Sequence, residues 1–196
     1  MPTPTNYTRE DVEALLSKMA LERGKLITAA EALRGDDADR VPVDAVGEEQ
    51  WTAKEQLAHL WEMERSYIAW CRAGQAESGV DASDIRGEPV DIPIERAPRH
   101  SVRELLDALI DERARTNDYI RSLTLDEFAH TASTPGFGEL TLMQWLRSFY
   151  RHDRMHTAQI EGRQSNYQPR YQGGREANQR QMRIDQVAAR DPDSSD

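Results

Sequence analysis

The sequence predicts an all-α protein: a four-helix bundle with a long second connection and a polar C-terminal arm. Four long segments carry apolar residues at three- and four-residue steps, the spacing that places side chains on one face of a helix. Few segments alternate polar and apolar residues, so no substantial sheet is predicted. Four amphipathic helices in a chain of 196 residues favour a single bundle.

The chain divides by composition into a helical body and a tail. We assign residues 1–164 to the bundle domain and residues 165–196 to the tail, which is polar and has few aliphatic residues. Within the tail, the stretch from Arg175 to Ala189 has a thin apolar face and predicts a marginal helix or arm. The acidic end of the tail is typical of disorder.

The first two helices are predicted from periodicity and from their ends. The first runs from about Thr8 to Leu33. The second opens at Thr52, where Glu55 three residues later completes a capping box that satisfies free backbone amides. This helix is expected to stop near Gly74.

A connection rich in Gly, Ser, Asp and Pro follows, over residues 74–100. Connections of this length in compact domains are often functional or partly disordered. Ser101 and Glu104 form the capping box of a third helix, and Thr124 and Glu127 cap a short helical segment.

The last helix follows a predicted loop, TASTPGFGELT, over residues 131–141. Thr141 and Gln144 form its capping box. Its buried stripe includes two histidines among large apolar side chains and reads Leu142, Trp145, Leu146, Phe149, His152, His156, Ile160.

Composition excludes several classes of protein. The formal net charge of −10 disfavours non-specific binding of nucleic acid, which depends on Lys and Arg to neutralise phosphates. No apolar stretch approaches the length of a membrane span, and the first residues carry no secretory signal pattern. Cys71 stands alone, which fits a reducing compartment and predicts a packed, unreactive thiol. We therefore expect a cytoplasmic protein with neither a membrane nor a nucleic-acid partner.

Three histidines suggest a metal site. His152 and His156 lie one turn apart on one helix face, and His59 is on the second helix, so facing helices could supply three imidazole ligands. The alternative interpretation is that the three histidines are structural, as buried polar residues whose hydrogen bonds are satisfied by neighbouring groups. Two buried imidazoles in a row each need a partner, since an unpaired polar group costs about 1–3 kcal/mol. Spacing alone leaves the two interpretations evenly matched.

Other polar residues are candidates for supporting roles at this site or for surface positions. Glu62 lies three residues beyond His59, and Gln159 lies three residues beyond His156. Both are candidates to orient the imidazole or to exchange a proton. For Glu62, an ordinary exposed charge on the helix surface is an equally favoured alternative. For Glu55 the capping role is favoured. Asp153 and Arg154 lie off the buried stripe of the last helix and are predicted to form surface or interhelical ion pairs. His100 and His130 are predicted to occupy ordinary surface or loop positions. Trp51 is predicted to be a packing anchor.

Two segments resemble the DinB-like superfamily, small bacterial four-helix bundles of DinB and YfiT type. One segment is QWTAKEQLAHLWEMER, at residues 50–65, with its Trp-Thr cap leading to Ala-His-Leu. The other contains His-Asp-x-x-His-x-x-Gln-Ile, here at residues 152–160. The resemblance covers roughly Thr8 to Arg163.

The resemblance implies a divalent metal, nickel or zinc, held by His59, His152 and His156. Known activities in the family imply a small-molecule substrate and transfer or isomerisation with a low-molecular-weight thiol such as mycothiol or bacillithiol, or a related hydrolysis. The alternative is a metal-binding protein without catalysis that acts in stress response or interaction. Bundles of this size often dimerise, so we predict a homodimer, with the tail as a candidate clasp.

Overall fold

A computed structural model describes residues 6–42, 50–163 and 165–166 of the chain. Within these ranges four long helices form: α1 (Arg9–Glu31), α2 (Ala53–Ala76), α3 (Val102–Ser122) and α4 (Leu142–Ile160). Each begins after a side chain that accepts a hydrogen bond from the backbone three positions later, in a complete capping box. The capping residues are Thr8, Thr52, Ser101 and Thr141. The predicted four-helix architecture is confirmed.

The helices do not follow one another around the bundle in chain order. α1 packs mainly against α4, while α2 contacts both α3 and α4, and α3 also contacts α1. The order around the bundle is therefore α1, α4, α2, α3, so that α1 and α2 face each other diagonally. Of the predicted tail, only Ser165 and Asn166 belong to the described residues, and the marginal helix considered for residues 175–189 lies outside them.

Two apolar clusters fill the bundle, and the three histidines lie where they meet. One cluster contains Tyr67 and Trp145, and the other contains Trp51 and Leu57. The His59 ring packs edge-on against Trp51 with 4.5 Å between ring centroids, and the His152 ring lies 6.0 Å from that of Tyr67. Both clusters therefore contribute walls to the histidine site.

The predicted loop at residues 131–141 is instead a β-hairpin. β2 (Thr131–Thr134) pairs antiparallel with β3 (Gly138–Thr141), and β1 (Val80–Asp81) adds a parallel edge to form a three-stranded sheet. The loop prediction was wrong because the buried side of the hairpin is defined by distant contacts, such as Trp145 Nε1 donating to the Ala132 carbonyl at 3.1 Å.

α2 ends at Ala76, close to the stop predicted near Gly74. A Cβ at Gly74 would lie 2.9 Å from Leu142 Cδ1 and 2.9 Å from the Thr131 carbonyl oxygen, so this glycine permits close packing of the hairpin on α2.

The connection between α2 and α3 packs along the bundle. It contains β1 and a short 3-10 helix, Ile94–Arg99, which lies against α2. Ile94 N donates a hydrogen bond of 3.1 Å to Glu62 Oε1, which attaches the connection to α2. No helix among the described residues is long and apolar enough to cross a membrane.

Candidate metal centre

Helices α2 and α4 bring the three predicted histidines together. His59 lies in the second turn of α2, and His152 and His156 lie one turn apart in α4, the helix that packs beside it. His152 Nε2 is 3.2 Å from His59 Nε2 and 3.0 Å from His156 Nε2. The candidate ligand atoms of all three side chains lie within 4.8 Å of one another.

These distances fit a cation held by three imidazoles. With metal–nitrogen bonds of about 2.0–2.1 Å, ligand nitrogens are separated by roughly 2.9 Å in octahedral and 3.4 Å in tetrahedral geometry. The three side chains are only 2%, 9% and 0% exposed for His59, His152 and His156. One proton on His152 Nε2 cannot form two well-directed hydrogen bonds to the flanking nitrogens, whereas one cation satisfies all three lone pairs.

Gln56 determines which nitrogen of His156 faces this cluster. The Gln56 amide nitrogen donates to the Trp51 carbonyl at 3.1 Å, and that contact leaves Gln56 Oε1 to face His156 Nδ1, also at 3.1 Å. Because Oε1 only accepts, Nδ1 carries the proton and Nε2 presents its lone pair to the other histidines. Sequence reasoning missed Gln56, although a glutamine three residues before His59 on the buried face was a usable signal.

The electrostatic surroundings of His156 favour its neutral form. Burial, followed by the neighbouring His152, lowers the pKa of His156 well below its ordinary value. The side chain of Gln159 has a weaker effect that raises the pKa. A neutral imidazole is the form that binds a metal.

The candidate supporting residues divide into two groups. Gln159 is buried beside His156, but its Oε1 has no hydrogen-bond partner among the described residues, and Nδ1 of His156 contacts Gln56 instead. Glu62, in contrast, accepts the backbone hydrogen bond of Ile94 and so has a structural role in the connection. Glu55 closes the Thr52 capping box, as favoured from the sequence.

A buried ionic cluster occupies the same level of the bundle as His152. It comprises one side chain from each helix: Arg23, Glu64, Arg113 and Asp153. Each arginine contacts both carboxylates, with N···O distances from 2.7 to 3.1 Å. These residues and His152 line one small internal cleft.

The charges of this cluster satisfy one another. Burial opposes ionisation of Glu64, but Arg113 and Arg23 outweigh it and lower the pKa of Glu64 to about 2. Burial likewise opposes the charge on Arg113, yet Asp153 and Glu64 outweigh it and raise the pKa of Arg113. Glu64 and Arg113 therefore remain charged at neutral pH.

The remaining polar residues singled out from the sequence lie outside the histidine cluster. Asp153 and Arg154 both form interhelical ion pairs with α1, the latter to Glu22 at 3.0 Å. His100 Nδ1 lies 3.4 Å from Glu104, and His130 Nδ1 lies near the carbonyls that end α2. Cys71 is fully buried, and burial raises the pKa of its thiol, which makes it unreactive.

The fold and the cluster together define a four-helix-bundle protein with a three-histidine centre that fits a divalent metal. A family model described as the DinB superfamily matches residues 7–160, and the chain belongs to this superfamily. The resemblance stated from the two histidine segments is thereby confirmed.

One solved structure has the same fold. YfiT from Bacillus subtilis, described as a probable metal-dependent hydrolase with an unusual four-helix bundle topology, aligns with a TM-score of 0.62 and 18% identity. The alignment covers 82% of this chain and 90% of YfiT. At this identity the similarity shows the fold. The search of curated proteins found no match.

Proposed function

We propose that the protein is a divalent-metal enzyme in which His59, His152 and His156 hold the ion. The observation that carries the proposal is the convergence of three buried Nε2 atoms, since those of His59 and His156 lie 3.2 Å and 3.0 Å from that of His152. A divalent ion with three imidazole ligands keeps a coordination position open and lowers the pKa of bound water or thiol.

The surrounding residues prepare this site for a metal. Gln56 keeps the proton of His156 on Nδ1, and burial keeps that imidazole neutral, so the ion does not compete with a proton for His156 Nε2. Trp51 packs against His59 and limits its rotation. Asp153, held by two arginines, anchors the turn of α4 that carries His152.

The proposed chemistry is attack of an activated nucleophile on an electrophilic substrate. Water as nucleophile gives a hydrolase, which is what the printed description of YfiT suggests for that protein. A low-molecular-weight thiol gives an S-transferase, in line with the family's thiol-dependent members. Assays of nickel- and zinc-loaded protein, with an activated ester alone and with monobromobimane plus mycothiol or bacillithiol, distinguish the two. No metal-dependent turnover in either assay would contradict the enzymatic proposal.

Metal binding itself is tested by elemental analysis. We expect about one divalent ion per chain and its loss in His59→Ala, His152→Ala and His156→Ala, because each removes one of three ligands. His130→Ala is the matched control, since it removes an imidazole outside the cluster. Circular dichroism establishes that each variant is folded. Wild-type protein that binds no ion after incubation with nickel or zinc would overturn the assignment.

The alternative function is metal binding without catalysis. It is favoured by the burial of all three imidazoles, of which the most exposed is only 9% accessible. Azide added to cobalt-substituted protein separates the two functions. A change in the visible spectrum indicates an open coordination position, while an unchanged spectrum supports the non-catalytic function.

A further inference from the structure

A second candidate site lies in a groove between α2 and α3, which we call the arginine groove. Its volume is about 370 Å³, within the range of small-molecule sites. Six charged side chains line it: Arg65, Arg72, Arg86, Glu88, Glu112 and Arg115. The α2 residues of the groove lie on the side of the helix that faces α3, whereas His59 faces α4. The groove is therefore separate from the histidine centre.

The charge of the arginine groove is opposite to that of the whole protein. Four arginines and two glutamates sum to +2 in the groove, while the chain carries a net charge of −10. A concave surface lined by one sign of charge concentrates ligands of the opposite sign. The groove thus selects an anion, and a dianion matches its charge.

Three donors contact one oxygen of the Glu112 carboxylate in the groove. Glu112 is 8% exposed, and its Oε2 accepts from Trp61 Nε1 at 3.0 Å and from Arg65 Nε at 2.9 Å. Arg115 Nη1 lies 3.4 Å from the same oxygen. The Glu112 carboxylate therefore positions Arg65 and Arg115, and their positive charges balance its negative charge.

The other guanidinium groups are also supported while keeping donors available. Arg72 stacks over the Tyr119 ring at 4.9 Å, and Arg86 Nη1 donates to the carbonyls of Ser83 and Ile85. A guanidinium has five N–H donors, more than these contacts use. Positioned arginines with remaining donors can form paired hydrogen bonds to a carboxylate or phosphate.

We propose that the arginine groove binds a small organic dianion with an apolar portion, either a phosphate monoester or a dicarboxylate. Ile68 and Ala69 are half-buried in its lining and provide a surface for the apolar portion. Two acidic oxygens engage the arginines, and the organic group lies on the α2 surface.

Calorimetric titration of the full chain tests this proposal. Chelator-treated protein is used, so that phosphate cannot bind at a metal. The probes are phenyl phosphate, phthalate and neutral phenol. We expect saturable binding of at least one dianion at millimolar or lower concentration and no binding of phenol. Methyl NMR signals of Ile68 and Ala69 should shift during the same titration, which locates the ligand in the groove.

Substitutions of exposed arginines provide the matched comparison. Arg72→Gln and Arg115→Gln should each weaken dianion binding about tenfold or more, because each removes a charge-assisted hydrogen bond. Arg121→Gln removes the same charge from α3 outside the groove and should retain affinity. Arg115 and Arg121 have side chains 67% and 59% exposed, so these replacements leave the core intact.

The outcomes are distinct. Binding of phenyl phosphate alone identifies a phosphate monoester site, and binding of phthalate alone identifies a dicarboxylate site. No saturable binding of either dianion would overturn the proposal. Equal affinities of the Arg115→Gln and Arg121→Gln variants would overturn it as well. Each result is independent of whether the histidines hold a metal.

Discussion

At the scale of single residues, the amide of Gln56 organises one side of the histidine cluster. Gln56 is completely buried and joins the Trp51 carbonyl to His156 Nδ1. A buried amide in this position has two roles, since it satisfies a backbone acceptor and sets the imidazole tautomer. Residues that orient a ligand in this way commonly affect metal affinity almost as much as the ligands themselves.

Gln56→Leu should lower the affinity for a divalent metal by roughly 10–100-fold, because His156 loses the acceptor that keeps Nε2 unprotonated. Competition with a chromophoric chelator measures the change. Glu55→Gln, one residue away in the Thr52 capping box, serves as the control and should bind metal like the wild type. Equal affinity of the Gln56→Leu variant and the control would refute this role for Gln56.

At the scale of helices, each of the four contributes one charged residue from its buried face to the ionic cluster. In α2, Glu64 lies between Leu60 and Tyr67 at helical spacing, and in α1 Arg23 lies between Met19 and Leu26. Arg113 and Asp153 interrupt the stripes of α3 and α4 in the same way. These interruptions were visible in the sequence. Their meaning depended on the neighbouring helices, because only paired charges are tolerated in a core.

Glu64→Gln should destabilise the protein by about 3–5 kcal/mol, since both buried arginines lose a charged partner. Urea unfolding followed by circular dichroism gives the free energy of unfolding. Glu13→Gln on the exposed face of α1 is the control and should change stability by less than about 0.5 kcal/mol. A loss as small as that of the control would show that the ionic cluster contributes no net stability.

The start of α4 determines the position of two histidines. Thr141 caps this helix through Gln144 N at 3.2 Å, and Thr141 is also the last residue of β3. Thr141→Ala should cost about 1 kcal/mol in unfolding free energy, whereas Thr141→Ser keeps the capping hydroxyl and should cost much less. The comparison uses thermal or urea unfolding. Equal losses in the two variants would mean that the Thr141 methyl group, and not the cap, supplies the stability.

At the scale of the whole molecule, the ionic cluster crosses both diagonals of the bundle. Arg23 reaches Glu64 from α1 to α2, and Arg113 reaches Asp153 from α3 to α4. The interior of the bundle thus combines apolar packing with buried charge pairs. The predicted homodimer and the clasping tail depend on other surfaces and stay predictions.

The free energy of unfolding should depend on pH through the ionisation of Glu64. The folded-state pKa of about 2 is below the ordinary value of 4.5, so the unfolded chain takes up a proton first as the pH falls. The stabilisation is fully present above about pH 4.5 and is lost towards pH 2, by ~3 kcal/mol. Urea midpoints measured across this range test the sign. Glu64→Gln should show a smaller decrease over the same range, and an identical decrease would assign the effect to other groups.

Local patterns in the sequence were sufficient for the four helices, whereas the set of candidate metal ligands also needed the resemblance to the DinB-like superfamily. Caps such as Thr52 and Ser101 define helix starts because they bond to amides only three residues away. The four-residue spacing of His152 and His156 puts both on one helix face wherever that helix packs. The order of helices around the bundle, by contrast, was not predictable from such patterns.

Only the tertiary structure decided which distant residues meet. His59 lies 93 residues from His152 in the chain, and Gln56 lies 100 from His156, yet each pair is within hydrogen-bonding distance. The hairpin at residues 131–141 likewise depends on its contacts with α2 and α4. Periodicity and caps report interactions within about one helical turn, whereas these contacts depend on how the helices pack. The sequence by itself therefore determined the four helices and the ligand types, and the packing decided the hairpin and the geometry of the site.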